Sequence, residues 1–210
     1  MTPSNYRFID AHIHLFLSSH LDRLAWMTPT NPLRSSYSTD EYTAASSSSN
    51  LEGFIFVETD RSHTLPHPPF TPSKVAAHLE HALSEIEFAV GIHRHPQVGQ
   101  PKLLGMVPFA PLPLGKEGME AWASVLPEGA EAIMKGVRYL VQDKPSGTIN
   151  AESFVQGIRW VLERDWVFDL GVDLRSGGVW QLNETVEALY EAIEGSAGTG
   201  RVVISELVVS

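Results

Sequence analysis

An aspartate and two histidines alternate in the run Asp10-Ala11-His12-Ile13-His14, which directly follows an apolar opening. Side chains alternate faces along a β-strand, so Asp10, His12 and His14 are expected to share one face. Imidazoles two positions apart have Cα atoms about 6–7 Å apart, which lets both rings reach one cation at about 2.0–2.1 Å. The run therefore predicts a divalent metal site, held by His12 and His14 at the end of a first strand.

A histidine pair of this spacing also arises by chance or as polar surface, and the residues alone leave that alternative open. The chain has nine histidines and no cysteine. Thiolate metal sites, disulfides and thiol nucleophiles are therefore excluded, and ring nitrogens are the nitrogen ligands to consider. Neither a Ser–His–Asp triad nor a phosphate-binding glycine loop is discernible in the sequence.

The composition is that of an ordinary globular protein, with 210 residues, of which 43% are hydrophobic and 19% charged. A net charge of −10 argues against nucleic acid or an anionic membrane as the main partner. The sequence shows no apolar run of the roughly 20 residues that span a bilayer, and no basic segment followed by an apolar one near its start. These features, together with the absence of cysteine, are compatible with a cytoplasmic protein.

Six short apolar runs alternate with helical periodicity, which predicts an α/β protein with a mostly parallel sheet. The strands are expected at 8–12, 53–58, 103–108, 133–138, 166–170 and 201–205. Apolar residues at helical spacing predict helices at 75–90, 154–162 and 182–193, and a shorter helix at 121–126. The first should start at Thr71-Pro72, the second should be capped by Asn150, and the third should end at Gly195. A further helix start at Ser38 leads into a serine run that is expected to be a linker.

Six strand–helix units fall short of the eight units of a closed TIM barrel, which commonly needs about 250 residues. The expected architecture is therefore a TIM-barrel-like α/β fold that is incomplete, with about six of eight strand–helix units. We expect a single domain over 1–210, truncated at its C-terminus. An open barrel wall exposes strand edges, so self-association through those edges is expected.

Several segments resemble the amidohydrolase-related family, in particular its sugar-lactonase group. They are the Asp10 to His14 run, Leu24-Ala25-Trp26-Met27, Tyr37-Ser38-Thr39-Asp40-Glu41-Tyr42, Gly53 to Glu58, Lys135-Gly136-Val137-Arg138 and Phe168-Asp169-Leu170. The resemblance implies a metal-dependent hydrolase on a distorted TIM barrel, with zinc or manganese as the divalent metal ion. It further implies a substrate that is a lactone, ester or amide of a small polar molecule.

The chain departs from the family pattern after its sixth predicted strand. Members of the family usually continue with a His-Leu pair and supply a ligand or catalytic Asp on the eighth strand, whereas this chain ends Ser205-Glu206-Leu207-Val208-Val209-Ser210. A truncated gene model, a splice form or a decayed copy would each have this appearance. The metal and the activity are expected to be weak or lost in that case.

The resemblance and the strand positions together give a set of candidate site residues. His12 and His14 are the metal ligands, and Asp10 is a catalytic carboxylate or holds an imidazole by a hydrogen bond. Glu206 would complete a set of two histidines and one carboxylate, or else is a solvated carboxylate on a frayed end.

Three further residues at the strand ends and the first loop are candidate substrate contacts. Arg138 would clamp a carboxylate or hydroxyls of the substrate, or else forms a structural ion pair. Glu58 is a substrate contact or a solvated strand-end carboxylate. Trp26 is an apolar wall of the pocket or a packing residue.

Three functions remain open from the sequence. The first is a hydrolase, most simply a lactonase for a small sugar-acid lactone. The second is a decarboxylase-type carbon–carbon lyase of the same superfamily. The third is a non-catalytic partial barrel that is stable only when it associates with another chain.

Overall fold

The structure, a computed structural model, describes residues 6–47, 50–173, 178–194 and 196–205. The described strands are β1 Phe8–Ile13, β2 Leu51–Val57, β3 Lys102–Val107, β4 Gly136–Leu140, β5 Val167–Gly171 and β6 Arg201–Ser205. The described helices are α1 Thr39–Ser46, α2 Pro72–His78, α3 Glu80–Arg94, α4 Gly115–Ala123, α5 Ala130–Ile133, α6 Glu152–Leu162 and α7 Trp180–Glu194, with 3-10 helices at Ser18–Arg23 and Leu112–Leu114. The predicted alternation of strands and helices is confirmed.

The first of two compact units contains the residues up to 63 together with 80–108 and 127–133. Its sheet has the order β1-β2-β3 and is parallel throughout, so the carboxyl ends of the three strands meet at one edge. Phe54 and Phe56 of β2 are fully buried. Helix α3 packs on β3 and buries Ile86 and Ala89. This unit carries the two histidines of the predicted metal site.

The second unit contains residues 64–79, 109–126 and those from 134 onward. Its parallel sheet has the order β4-β5-β6. Helix α6 packs on β5 and against α4 and α7, and its Gly157 allows close approach because a Cβ there would lie 2.4 Å from the carbonyl oxygen of Leu112. The core is rich in rings, since Phe154 of α6 contacts both Tyr139 and Phe168. The described residues thus form two three-stranded sheets and not the eight strands of a closed barrel.

Two element boundaries differ from the sequence expectation. The fourth strand begins at Gly136 rather than at Ile133, because Ile133 ends α5 and is buried there. The predicted helical stripe from Val75 to Val90 is two helices, since the backbone leaves the helical region at Leu79 with φ −110° and ψ 19°. The helix start is as predicted, because Thr71 caps the first turn by accepting from the backbone N–H of Lys74 at 3.3 Å.

The Asn150 cap is not formed, because the residue before α6 is Ala151 and the Asn150 amide donates instead to Glu187 at 3.2 Å. The short helix expected at 121–126 is longer and earlier, at Gly115–Ala123. Gly195, expected to end α7, and Ser48 and Ser49 of the serine run lie outside the described residues. Throughout the described part of the chain, each helix is too short or too polar to cross a membrane.

Candidate metal centre

The imidazoles of His12 and His14 converge at the carboxyl end of β1. Their Nε2 atoms lie 3.2 Å apart, and the two rings meet edge to face with centroids 4.9 Å apart. Two nitrogens bound to one tetrahedral cation at about 2.0–2.1 Å would lie about 3.3–3.4 Å apart. The spacing of the two ring nitrogens therefore fits a pair of ligands to one divalent cation, and their role as ligands stays a prediction.

The orientation of His14 is fixed by the neighbouring strand. Its Nδ1 lies 3.1 Å from the carbonyl oxygen of Val57, the last residue of β2. A carbonyl oxygen only accepts, so Nδ1 carries the proton, and the lone pair of a neutral ring is on Nε2. This is the tautomer that a metal-binding histidine needs, with the second nitrogen held by a hydrogen bond.

The structure does not complete the ligand set within the residues it describes. Among 6–47, 50–173, 178–194 and 196–205, no group of three or more His, Asp or Glu side chains could hold a metal ion. Catalytic zinc usually has three protein ligands. Glu206, the predicted third ligand, lies outside the described residues. The histidines thus fit a cation as two of its ligands, and a further ligand must come from elsewhere.

The hydrogen bonds that the structure gives to Asp10 are with a tyrosine and with the backbone of its own strand. One of its carboxylate oxygens accepts from the hydroxyl of Tyr42 at 2.9 Å, and the other accepts from the backbone N–H of His12 at 3.2 Å. The pairing of β1 with β2 shifts register between Asp10 and Ile13, which interrupts regular alternation at this point. Asp10 is therefore bonded to α1 and to the backbone of its own strand, and a catalytic role for it stays a prediction.

Glu58 follows β2 directly and is buried, with 2% of the residue exposed. Its carboxylate accepts from the backbone N–H of Asp60, and its own N–H donates to the carbonyl oxygen of Val107 at 3.1 Å. The alternative of a solvated strand-end carboxylate is wrong, because the side chain is buried. Its predicted contact with substrate is untested.

Trp26 lies in the loop between β1 and α1 and is 37% exposed. Its indole N–H donates to the carbonyl oxygen of Thr59 at 2.9 Å, and its ring meets Phe16 edge to face at 5.9 Å. The loop packs on itself around Phe16, Leu21 and Leu24. Trp26 is thus partly packed and partly open, which is compatible with both interpretations given above.

Arg138 lies in β4 of the second unit, where its side chain is 2% exposed. Its Nε is 3.8 Å from a carboxylate oxygen of Asp169 on β5, and Nη2 donates to the hydroxyl of Ser205 at 3.4 Å. Asp169 is opposite Arg138 in the strand pairing. These contacts favour the structural ion pair over the substrate clamp, which stays a prediction.

A buried polar network behind the end of β2 was not predicted from the sequence. Arg61 and Glu85 form an ion pair of 3.0 Å, and both side chains are 1% exposed. Glu85 also accepts from the backbone N–H and the hydroxyl of Thr59, and Arg61 Nη2 lies 2.9 Å from His20 Nδ1. Because the partners are 24 to 41 residues apart in the chain, no local pattern in the sequence indicates this network.

The network shifts the pKa values of its titratable members. Burial, and then the positive charges of Arg61 and Arg23, lower the pKa of His20 to about 4. The bonding agrees with this direction, since His20 Nδ1 accepts from the backbone N–H of Leu17 at 3.2 Å and faces the Arg61 guanidinium. Burial raises the pKa of Glu85, while Arg61 and Thr59 act in the opposite direction.

Known proteins are similar to this chain in sequence and in fold. The chain is 34% identical over 198 residues to L-rhamnono-gamma-lactonase from Scheffersomyces stipitis, covering 88% of this chain and 56% of that protein. No family model matches the chain. This sequence similarity supports the resemblance to the amidohydrolase-related family that the motifs indicate. The chain spans just over half the length of this relative.

Solved structures show the same fold. Amidohydrolase 2 from Bifidobacterium longum subsp. infantis superposes with a TM-score of 0.60 at 17% identity, covering 95% of this chain and 61% of that one. An amidohydrolase from Burkholderia multivorans with bound zinc superposes with a TM-score of 0.51 at 16% identity, covering 95% of this chain and 69% of that one. The two parallel sheets described here thus correspond to part of an amidohydrolase fold.

Proposed function

We propose that this chain carries the part of a metal-dependent hydrolase site that lies at the end of β1. We further propose that it acts in the cytoplasm on a lactone, ester or amide of a small polar molecule. The observation that carries the proposal is the 3.2 Å approach of the His12 and His14 Nε2 atoms. The similarity to L-rhamnono-gamma-lactonase favours a sugar-acid lactone within that class.

The chemistry assigned to the site follows from the residues present. His12 and His14 would hold a divalent cation, which would supply Lewis-acid activation of the substrate carbonyl and of water. The Val57 carbonyl keeps the proton of His14 on Nδ1, so that Nε2 presents its lone pair without a further proton transfer. Trp26 presents a partly exposed ring near the carboxyl end of β2, where it can exclude water from one side of a substrate.

Hydrolysis also needs a group that accepts a proton from the attacking water. Asp10 already accepts hydrogen bonds from the hydroxyl of Tyr42 and from the backbone of its own strand. A carboxylate from the relatives' later strands would serve as general base in a complete barrel. We therefore expect this chain to bind metal and to turn over substrate slowly.

The test is a zinc titration of the purified, chelator-treated chain, followed by isothermal calorimetry. We expect one zinc per chain, and its loss in His12→Ala and in His14→Ala. His95→Ala is the matched control, because His95 is exposed near the end of α3 and should leave binding unchanged. Hydrolysis of sugar-acid γ-lactones is then followed by proton release with and without zinc.

Three results would contradict the proposal. Absence of zinc uptake by a folded wild-type chain would favour a non-catalytic partial barrel. Uptake that persists in both histidine variants would place the metal elsewhere. Release of carbon dioxide from an aromatic acid, without lactone hydrolysis, would instead favour the related carbon–carbon lyase.

A further inference from the structure

The end of β2 is held through consecutive peptide groups, each bonded to a different neighbour. In the Val57–Glu58 peptide, the carbonyl accepts from His14 Nδ1 at 3.1 Å and the N–H donates to Val107 of β3 at 3.1 Å. In the next peptide, the N–H of Thr59 donates to both carboxylate oxygens of Glu85, at 3.2 and 3.3 Å. The peptide that orients the metal-binding histidine is therefore adjacent to one anchored by a buried carboxylate.

The Thr59 hydroxyl strengthens the same anchor. It donates to Glu85 Oε1 and lies 3.2 Å from Arg61 Nε. Thr59 and Glu85 are buried at 4% and 1% exposure, so water does not compete for these bonds. Glu85 lies within α3, which packs on β3, and it thereby ties the end of β2 to a rigid helix.

The backbone beyond Thr59 is constrained as well. The carbonyl of Thr59 accepts from Trp26, and Asp60 adopts a positive φ of 54° while its carbonyl accepts from Ala25 at 2.9 Å. A positive φ is uncommon for a residue other than glycine and is maintained only where the surroundings enforce it. The segment after β2 is thus fixed in one conformation by its partners.

Burial of the ion pair that completes the anchor costs free energy. Arg61 and Glu85 lose their hydration, and Arg61 Nη1 is buried without a hydrogen-bond partner among the described residues. Buried ion pairs contribute little net stability compared with apolar residues of the same volume. Their position directly behind the His14 contact indicates a role in fixing geometry.

We propose that Glu85, acting through Thr59, is a positioning residue for the His14 imidazole. It fixes the plane of the Val57–Glu58 peptide, and the Val57 carbonyl then fixes the tautomer and direction of His14. The expected effect of Glu85 on metal affinity rests on the proposed metal site. The effect on the His14 ring exists in the metal-free protein and is measured independently of that function.

The first measurement is the ¹⁵N chemical shifts of the His14 ring nitrogens in the metal-free chain, recorded well above the histidine pKa. In the wild type, Nδ1 should be the protonated nitrogen. Thr59→Val removes the hydroxyl and should raise the fraction of the tautomer protonated on Nε2, while Thr59→Ser keeps the hydroxyl and should restore the wild-type shifts. Glu87→Gln is the matched control, because Glu87 is an exposed carboxylate on the same helix. Glu85→Gln is measured in the same way and should act as Thr59→Val does.

The second measurement is the affinity for cobalt, read from its visible absorption, in all four variants. We expect Thr59→Val and Glu85→Gln to weaken cobalt binding by about tenfold, in the range found for groups that orient a metal-binding histidine. Thr59→Ser and Glu87→Gln should bind as the wild type does.

The outcomes separate the two proposals. Unchanged His14 shifts in Thr59→Val and Glu85→Gln, with only the free energy of unfolding lowered, would overturn the positioning role. If the His14 shifts change in Thr59→Val and Glu85→Gln while the wild type binds no cobalt, the positioning role is supported and the metal site is refuted. Equal cobalt affinity in Thr59→Val and Thr59→Ser would also contradict the inference.

Discussion

Arg61 and Glu85 form an ion pair of 3.0 Å in which both side chains are almost completely buried. They come from different elements, Arg61 from the segment after β2 and Glu85 from α3. The pair links the outer helix to the strand end that orients His14. Its energetic and functional consequences can be separated by substitution.

Removal of one partner should destabilise the protein strongly. Glu85→Ala leaves the Arg61 charge buried and unpaired, so we expect the free energy of unfolding to fall by about 3–5 kcal/mol. Urea unfolding followed by circular dichroism measures the change. The control is Asp22→Asn, which removes a pair with Arg34 at 2.6 Å in which the Asp22 side chain is 87% exposed. That surface change should cost about 1 kcal/mol or less, and an equal effect of the two substitutions would contradict the prediction.

Stability should fall in mild acid through His20. Its pKa is lowered from 6.5 to about 4 in the folded chain, so the unfolded state binds more protons in this window. The stabilisation is present above pH 6.5 and is lost as the pH falls toward 4. The free energy of unfolding, measured at a series of pH values, should depend less steeply on pH in His20→Asn than in the wild type. The amide oxygen of the asparagine accepts a hydrogen bond in place of Nδ1. Parallel curves for the variant and the wild type would show that His20 is not responsible.

The hydroxyl of Tyr42 should stabilise the chain through Asp10. Burial and the neighbouring Asp10 raise the pKa of Tyr42, so the phenol remains a donor at neutral pH. Tyr42→Phe leaves the half-buried carboxylate without this donor and should lower the free energy of unfolding by about 1–2 kcal/mol. Tyr37→Phe is a matched change on a tyrosine that meets Phe16 by ring contact. Comparable losses in the two variants would argue against the Asp10 bond as the cause.

Self-association should occur through the second unit. Helix α7 exposes Val186, Tyr190 and Ile193 at 41%, 68% and 57%, and Val203 on β6 is 48% exposed. Among the described residues β6 pairs only with β5, which leaves a strand edge beside apolar surface. Sedimentation velocity should show concentration-dependent association that decreases in the double variant Tyr190→Ser with Ile193→Ser. The control Val98→Ser alters an exposed loop residue, and a monomeric wild type at all concentrations would refute the prediction.

The elements of the fold were largely predictable because strands and helices leave different apolar periods in the sequence. The apolar run Phe54 to Val57 lies in β2 as predicted, with Phe54, Phe56 and Val57 buried. Boundaries were less predictable, since Ile133 and Leu79 are apolar residues that continue a pattern across the end of an element. Periodicity records which side chains are buried and not where a backbone hydrogen-bond ladder stops.

The candidate site was predictable only where its members are close in the chain. The approach of His12 and His14 follows from their spacing on one strand. The direction of Asp10 does not, because it depends on a register shift and on a tyrosine that is 32 residues away. The Thr59–Glu85 anchor likewise joins residues 26 positions apart, and neither residue type suggests a site by itself.

The main-chain carbonyl of residue 57 accepts the hydrogen bond from His14 Nδ1, and every amino acid supplies the same carbonyl. Replacing this valine by isoleucine or leucine would disturb only how the 1% exposed side chain fits its neighbours. Relatives can therefore differ at this position while they hold the imidazole identically, and a search for supporting groups by residue type would pass over it.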